Sequence, residues 1–195
     1  QCVEETADYC IEGSLIAKAH DCIVAAVKPG DTVVDATLGN GHDTLFLVNC
    51  VGEGGKVIGF DVQQDAIKST AERLTGAGID ERSYELHLQS HAEISRFAQN
   101  GLSAVMFNLG YLPGGDKEKI TKVDSTLKAL ADSLELLKSG GVLTVMCYPG
   151  HSGGDDEAEA VKLYLAGRHG TSFSVSRFHR KGATETTPFL LVVEK

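Results

Sequence analysis

The run Asp35-Ala36-Thr37-Leu38-Gly39-Asn40-Gly41-His42-Asp43-Thr44 holds residues suited to gripping a charged small molecule. Two glycines let the backbone turn tightly and approach a ligand closely. A helix opening after such a loop presents free N–H groups to an anionic group. A dinucleotide site would need a third glycine in the pattern G-x-G-x-x-G, and Thr44 stands in that place. An acid at Asp35 would also repel a diphosphate. The same acid suits a ligand with an ammonium group, such as the methionine part of S-adenosyl-L-methionine. Thr37 and Thr44 belong to the same candidate cofactor loop. Asp61 follows about twenty residues after Gly41, the spacing at which a strand-end carboxylate accepts ribose hydroxyl hydrogens. Ser90 and His91 come after the next strand, where a polar side chain meets an adenine. His87 and His91 are four apart but sit on a strand and its exit, without the Glu of a His-Glu-x-x-His site. No metal is expected.

A second constellation is Phe107-Asn108-Leu109-Gly110-Tyr111-Leu112-Pro113-Gly114-Gly115-Asp116-Lys117. An asparagine oxygen and a neighbouring backbone carbonyl can each accept an N–H from an amine. Together they aim the nitrogen lone pair at a methyl donor, and positioning of that kind carries much of the rate. The pattern resembles the Asn-Pro-Pro-Tyr motif of amino-group methyltransferases, with Leu-Gly in place of Pro-Pro. Tyr111 would then flank or stack on a base. An alkyl amine is mostly protonated at neutral pH, so the site must bind or create its neutral form. A nearby sulfonium disfavours the ammonium. Tyr111, Asp116, Tyr148 and His151 are all candidates to pass the proton on.

The elements that must position these residues alternate strand and helix, which signals a parallel sheet covered on both faces. Strands are expected over 32–36, 56–60, 84–88, 102–107, 142–148, 172–178 and 189–194. Helices are expected over 15–27, 44–51, 64–77, 92–100 and 125–137, the last stopped by Gly140 and Gly141. Asp155, Asp156 and Glu157 open a further helix, since acids favour its positive end. The last two strands follow one another without a helix, as in a closing antiparallel hairpin. Such an ending is similar to class I methyltransferases. The expected fold is therefore α/β and Rossmann-like, a mostly parallel sheet of seven strands with a C-terminal antiparallel hairpin, in one domain over 1–195.

Composition limits the partners. The 195 residues carry 42% hydrophobic side chains and a net charge of −9. That suits an ordinary globular domain with a sizeable core. No apolar run approaches the roughly 20 residues of a membrane span. The start is not basic-then-apolar like a signal peptide, and a cytoplasmic location is expected. Five cysteines with no Cys-x-x-Cys pair argue against a disulfide framework or a cysteine zinc site. The acidic balance disfavours broad phosphate contact with RNA. Basic residues are local, at Lys117, Lys119 and Lys122 and at Arg177, Arg180 and Lys181.

Asp-Ala-Thr-x-Gly-Asn-Gly-His-Asp-Thr, Phe-Asp-x-Gln, Phe-Asn-Leu-Gly-Tyr-Leu-Pro-Gly-Gly-Asp-Lys and Tyr-Pro-Gly-His together resemble the YtqB-like family of class I methyltransferases, long labelled as rRNA methylases. The likeness runs from Ala19-His20 to the C-terminus. It implies S-adenosyl-L-methionine as cofactor and methylation of the aminomethyl group of 5-aminomethyl-2-thiouridine at the tRNA wobble position. By motif position it implies cofactor roles for Asp35, Gly39, Asn40, Gly41, His42, Asp43, Asp61 and Gln63. Asn108, Tyr111, Asp116, Lys117, Tyr148 and His151 would surround the acceptor. The partner would be a tRNA anticodon stem-loop; the sequence does not fix the oligomeric state, and a small acidic domain would need two subunits, a homodimer, to grip such a stem-loop. The alternatives are an rRNA base or a small-molecule amine as acceptor. Thr186-Thr187-Pro188-Phe189 departs from the family's usual Asn-x-Pro-Pro-Phe.

Overall fold

A computed structural model describes residues 6–110, 123–151 and 153–195. The chain order is β1 (Ala7–Ile11), α1 (Leu15–Ala26), β2 (Thr32–Asp35), α2 (His42–Val51), β3 (Lys56–Asp61), α3 (Gln64–Gly76), β4 (Tyr84–Leu88), α4 (Ile94–Phe97), β5 (Leu102–Asn108), α5 (Val123–Leu136), β6 (Leu137–Cys147), α6 (Gly154–Ala166), β7 (Ser174–Arg180) and β8 (Phe189–Glu194). The strands form one sheet in the order β1-β7-β8-β6-β5-β2-β3-β4. β8 runs antiparallel to both of its neighbours, and the other pairings are parallel.

The central strands are apolar on both faces, as a sheet covered by helices on each side requires. β5 shows the consequence residue by residue. Ala104 and Met106 join one core cluster with Ile23, Leu47 and Leu74 of α1, α2 and α3. Val105 and Phe107 point the other way, into a cluster with Leu130 of α5 and Leu165 of α6. The helix faces follow the same logic. α1 buries Leu15, Ala19 and Ile23, spaced four apart on one stripe, and Ser14 caps it by accepting the Ala17 N–H at 3.3 Å. Phe60 and Phe107 are sealed completely or nearly so, each burial contributing about 1.5–3 kcal/mol.

The sheet has eight strands where seven were expected. The addition, β1, is an edge strand whose three middle residues are exposed, so no alternation of apolar and polar residues announces it. Pairing with β7 and stacking of Tyr9 on Phe178 at 5.1 Å hold it in place. The helix expected over 92–100 shrinks to a 3-10 turn (His91–Glu93) and α4, because Ala98 is already extended. Gly140 and Gly141 lie inside β6 rather than ending a helix. Leu137 already pairs with Leu102, and the register shifts between Leu102 and Ala104. A side chain at Gly141 would come within 3.0 Å of the Leu102 carbonyl.

From β2 the chain passes to β3 and β4 on one side, then returns to β5 and β6 on the other. β2 and β5 are thus neighbours, with Asp35 opposite Met106. A crevice opens where strand order reverses, outside the carboxyl ends of these two strands.

Candidate active site

The loop leaving β2 is organised from beneath by Asp35. Its carboxyl is 1% exposed. One oxygen accepts the Thr44 hydroxyl at 2.7 Å, the other the Thr37 N–H at 3.1 Å. Burial, reinforced by the nearby Asp43 carboxylate, pushes Asp35 up to about 7. The expected meeting of Asp35 with a ligand ammonium thus takes a different form. The carboxyl ties the strand end to the first turn of α2 and lies under the loop rather than on its surface.

Thr37 carries the tie across to β5, its hydroxyl accepting the Asn108 N–H at 2.7 Å. Asn108 in turn shares a side-chain hydrogen bond with Tyr148, which follows β6. Burial first, then the Asp43 charge, hold the Tyr148 hydroxyl above the usual phenol range. Asp35, Thr37, Thr44, Asn108 and Tyr148 therefore form one connected set.

Asp61 makes a second set. One of its oxygens accepts the Gly39 N–H at 3.1 Å, the other the Gln63 N–H at 2.9 Å. Gly41 must be glycine here on two counts. Its φ is +79, and an added Cβ would lie 2.8 Å from Thr70 Cα on α3. It caps α2 without a side chain to accept the first-turn N–H groups, and those groups have no partner within the helix. An uncapped helix start and a strand-end carboxylate offer complementary chemistry, donors for a ligand carboxylate and acceptors for ribose hydroxyls. That donor set fits S-adenosylmethionine, which carries both groups.

Other expected residues are used differently. His42 is exposed, with Arg73 3.1 Å away, while Arg73 also donates to the Asn40 carbonyl at 2.7 Å. Ser90 caps the turn at His91 by accepting the Ala92 N–H. His91 is 4% exposed, with Nδ1 3.2 Å from the Ala36 carbonyl and Nε2 3.4 Å from the Thr126 hydroxyl. Burial lowers it to about 4, so it stays neutral. Thr126 donates in turn to buried Glu157 at 2.8 Å. His151 sits in the turn before α6, and its carbonyl accepts the Gly154 N–H at 2.9 Å. The 186–188 tail lies against this turn, since a Cβ at Gly150 would be 2.9 Å from the Thr186 carbonyl. Tyr111, Asp116 and Lys117 lie outside the described residues.

Two features escaped the sequence reading. Arg73 and Thr70 of α3 fasten the Gly39–His42 turn from the side. His20 of α1 reaches Asp43 at 2.9 Å. Neither belongs to a recognisable local pattern, because the partners lie 23 or more positions apart. Among the described residues, no group of three His, Cys, Asp or Glu could hold a metal, and no helix is long and apolar enough to cross a membrane. Cys10, Cys22, Cys50 and Cys147 are free thiols.

Known proteins share this architecture. A solved structure described as a putative rRNA-methylase from Clostridium thermocellum has a TM-score of 0.90 and 40% identity, covering 95% of this chain and 99% of that one. A putative methyltransferase from Streptococcus mutans, solved in complex with SAH, gives 0.85 and 34% over 95% and 99%. The chloroplastic tRNA (mnm(5)s(2)U34)-methyltransferase of Arabidopsis thaliana is 40% identical over 158 residues, 76% of this chain and 58% of that protein. The chain spans about half the length of the curated relatives it matches. Residues 57–194 match the family described as Putative rRNA methylase. With that match and a Rossmann-like sheet of methyltransferase topology, the chain belongs to the Putative rRNA methylase family of S-adenosylmethionine-dependent methyltransferases.

Proposed function

We propose that this protein is an S-adenosylmethionine-dependent N-methyltransferase acting on the aminomethyl group of 5-aminomethyl-2-thiouridine at the tRNA wobble position. The observation that carries the reading is Asn108. Its backbone is fixed by Thr37 at 2.7 Å and its side chain by Tyr148, at the carboxyl end of β5 beside the cofactor loop. A fixed amide of this kind aligns an amine, because its oxygen accepts one N–H and leaves the lone pair free. The tRNA nucleoside in the name of the Arabidopsis relative, mnm(5)s(2)U34, agrees with the product of that chemistry.

The cofactor supplies a methyl group on a sulfonium, so the acceptor nitrogen must approach it in line. The chain's part is to hold and to exclude. Asp61 takes the ribose hydroxyls, and the first-turn N–H groups of α2 take the carboxylate. Asn108 orients the amine, and Tyr148 keeps Asn108 in position. Met106 and Met146 line the cavity beside Asn108. Lys18, Arg177, Arg180 and Lys181 lie on or beside β7, whose carboxyl end points to the same rim as those of β2 and β5. They are the contacts for the RNA phosphates, and a homodimer presents two such basic edges although each chain has a net charge of −9.

The test is methyl transfer to tRNA carrying 5-aminomethyl-2-thiouridine, read by mass spectrometry of the digested nucleosides. A methylaminomethyl product supports the reading. Its absence, with transfer to unmodified rRNA or to a small amine instead, overturns it. The family description and the acidic charge keep those two acceptors as the second reading.

A further inference from the structure

His20 of α1 and Asp43 of α2 form a pair, and Asp43 lines the small cavity that also reaches Asn108. His20 Nε2 lies 2.9 Å from Asp43 Oδ1. The imidazole stacks face to face on Phe46, centroids 3.7 Å apart and planes 6° from parallel. Stacking leaves the ring little freedom except in its own plane. The Asp43 side chain is 16% exposed and that of His20 28%. Asp43 shares the crevice lining with Asn108, Met106 and Met146. Apolar neighbours lower the local dielectric and strengthen what the carboxylate does to a cation.

We propose that the His20–Asp43 pair takes up the proton that the acceptor amine must shed before methyl transfer. The inference rests on the N-methyltransferase reading above. A primary ammonium has no lone pair to attack with, so one proton must leave first. Asp43 attracts the ammonium to the crevice, and imidazole is the side chain that exchanges protons near neutral pH. The proton passes by way of Asp43 to His20, giving R–NH2 and an imidazolium. The nitrogen lone pair then forms the N–CH3 bond as the S–CH3 bond breaks, and that bond's electron pair stays on sulfur. The product is the secondary ammonium R–NH2–CH3, carrying one positive charge. His20 returns its proton to water through its exposed edge.

The charged and titratable surroundings favour this pair. Asp35 of β2 is sealed beneath the loop, and Asp61 of β3 is engaged by two N–H groups. Burial holds the Tyr148 hydroxyl proton more tightly than in an ordinary phenol, and its side chain is already engaged by Asn108. Lys18 and Asp21 share α1 with His20, and Lys18 reaches over the Phe178 ring instead.

The experiment uses the purified protein with tRNA bearing 5-aminomethyl-2-thiouridine. Single-turnover rates of wild type, His20→Gln, His20→Ala and Asp43→Asn are followed from pH 6 to 9.5. Calorimetry measures S-adenosylhomocysteine binding by each. A proton acceptor of this kind contributes about 10²–10⁴-fold. His20→Gln should lose on the order of 10²-fold at pH 7 and regain much of it toward pH 9.5, where solvent strips the amine. Its affinity for the demethylated cofactor should stay within twofold. Parallel losses of rate and affinity would instead make the pair a cofactor grip and overturn the proposal. So would a wild-type pH profile in all three variants. NMR titration of the His20 ring, with and without Asp43→Asn, supplies a readout independent of turnover. An unchanged titration in that variant also overturns the pairing. Wild type failing on this tRNA defeats the methyltransferase reading and the inference with it, whereas active wild type with indifferent variants defeats the inference alone.

Discussion

Replacing Asp35 by asparagine changes how folding stability depends on pH. In the folded protein, burial and Asp43 lift the Asp35 carboxyl from 3.8 to about 7. The folded state therefore holds a proton that the unfolded chain has released across that window. Stability consequently falls as pH rises from about 4 to about 7 and levels off above. At ~1.4 kcal/mol per pH unit, the part of the loss between pH 5 and pH 8 is about 3 kcal/mol. An amide in place of the carboxyl cannot ionise, so the Asp35→Asn variant escapes it. The variant carries a fixed cost of its own. Thr44 and Thr37 both donate to the carboxyl, and an amide offers its oxygen to only one of them without rearranging. That cost, ~1–3 kcal/mol, is the same at every pH. The measurable quantity is the difference between variant and wild type in urea unfolding at pH 5, 6, 7 and 8. It should move by about 3 kcal/mol in the variant's favour, equivalent to ~6–12 °C in Tm for a chain of this size. The effect of the overall negative charge is nearly common to both proteins and cancels in the difference. Parallel stability curves from pH 5 to 8 would refute the burial argument, since they require Asp35 to ionise as an ordinary carboxyl.

Further outcomes are expected at other points of the site. Asp61→Ala removes the acceptor of the Gly39 and Gln63 N–H groups and should weaken S-adenosylhomocysteine binding at least tenfold by calorimetry. Asn108→Ala should instead lower turnover by 10²-fold or more, a loss of about 3 kcal/mol in the barrier, with affinity for that ligand within about twofold. Gly41→Ala meets Thr70 Cα at 2.8 Å in a left-handed conformation, and thermal unfolding should show a loss of about 2–4 kcal/mol. Thr126→Val breaks the link between His91 and Glu157 and should cost ~1–3 kcal/mol, read by urea titration. Cys147 is buried, and burial raises its thiol. Ellman's reagent should therefore modify exposed Cys10 at once and Cys147 only on unfolding.

Much of the fold was legible because it follows from local periodicity. β5 reads as a strand from seven nearly all buried residues, and α1 from Leu15, Ala19 and Ile23 on one stripe. The glycines of the cofactor loop were legible too, since few residue types tolerate φ of +54 and +79 at Gly39 and Gly41. β1 was not, because an exposed edge strand needs no apolar pattern and exists only through its hydrogen bonds to β7. Burial and partnership were likewise invisible in the chain order. Nothing in the run Asp35–Thr44 says that Asp35 lies under the loop, or that His91 faces Ala36 and Thr126 in the core. His20 lies 23 positions from Asp43 and acquires its meaning only when α1 packs beside α2. Residue types and their spacing determined which chemistry this protein could support. Packing decided which carboxylate is sealed, which is engaged and which faces the crevice, because desolvation depends on neighbours brought together from distant parts of the chain.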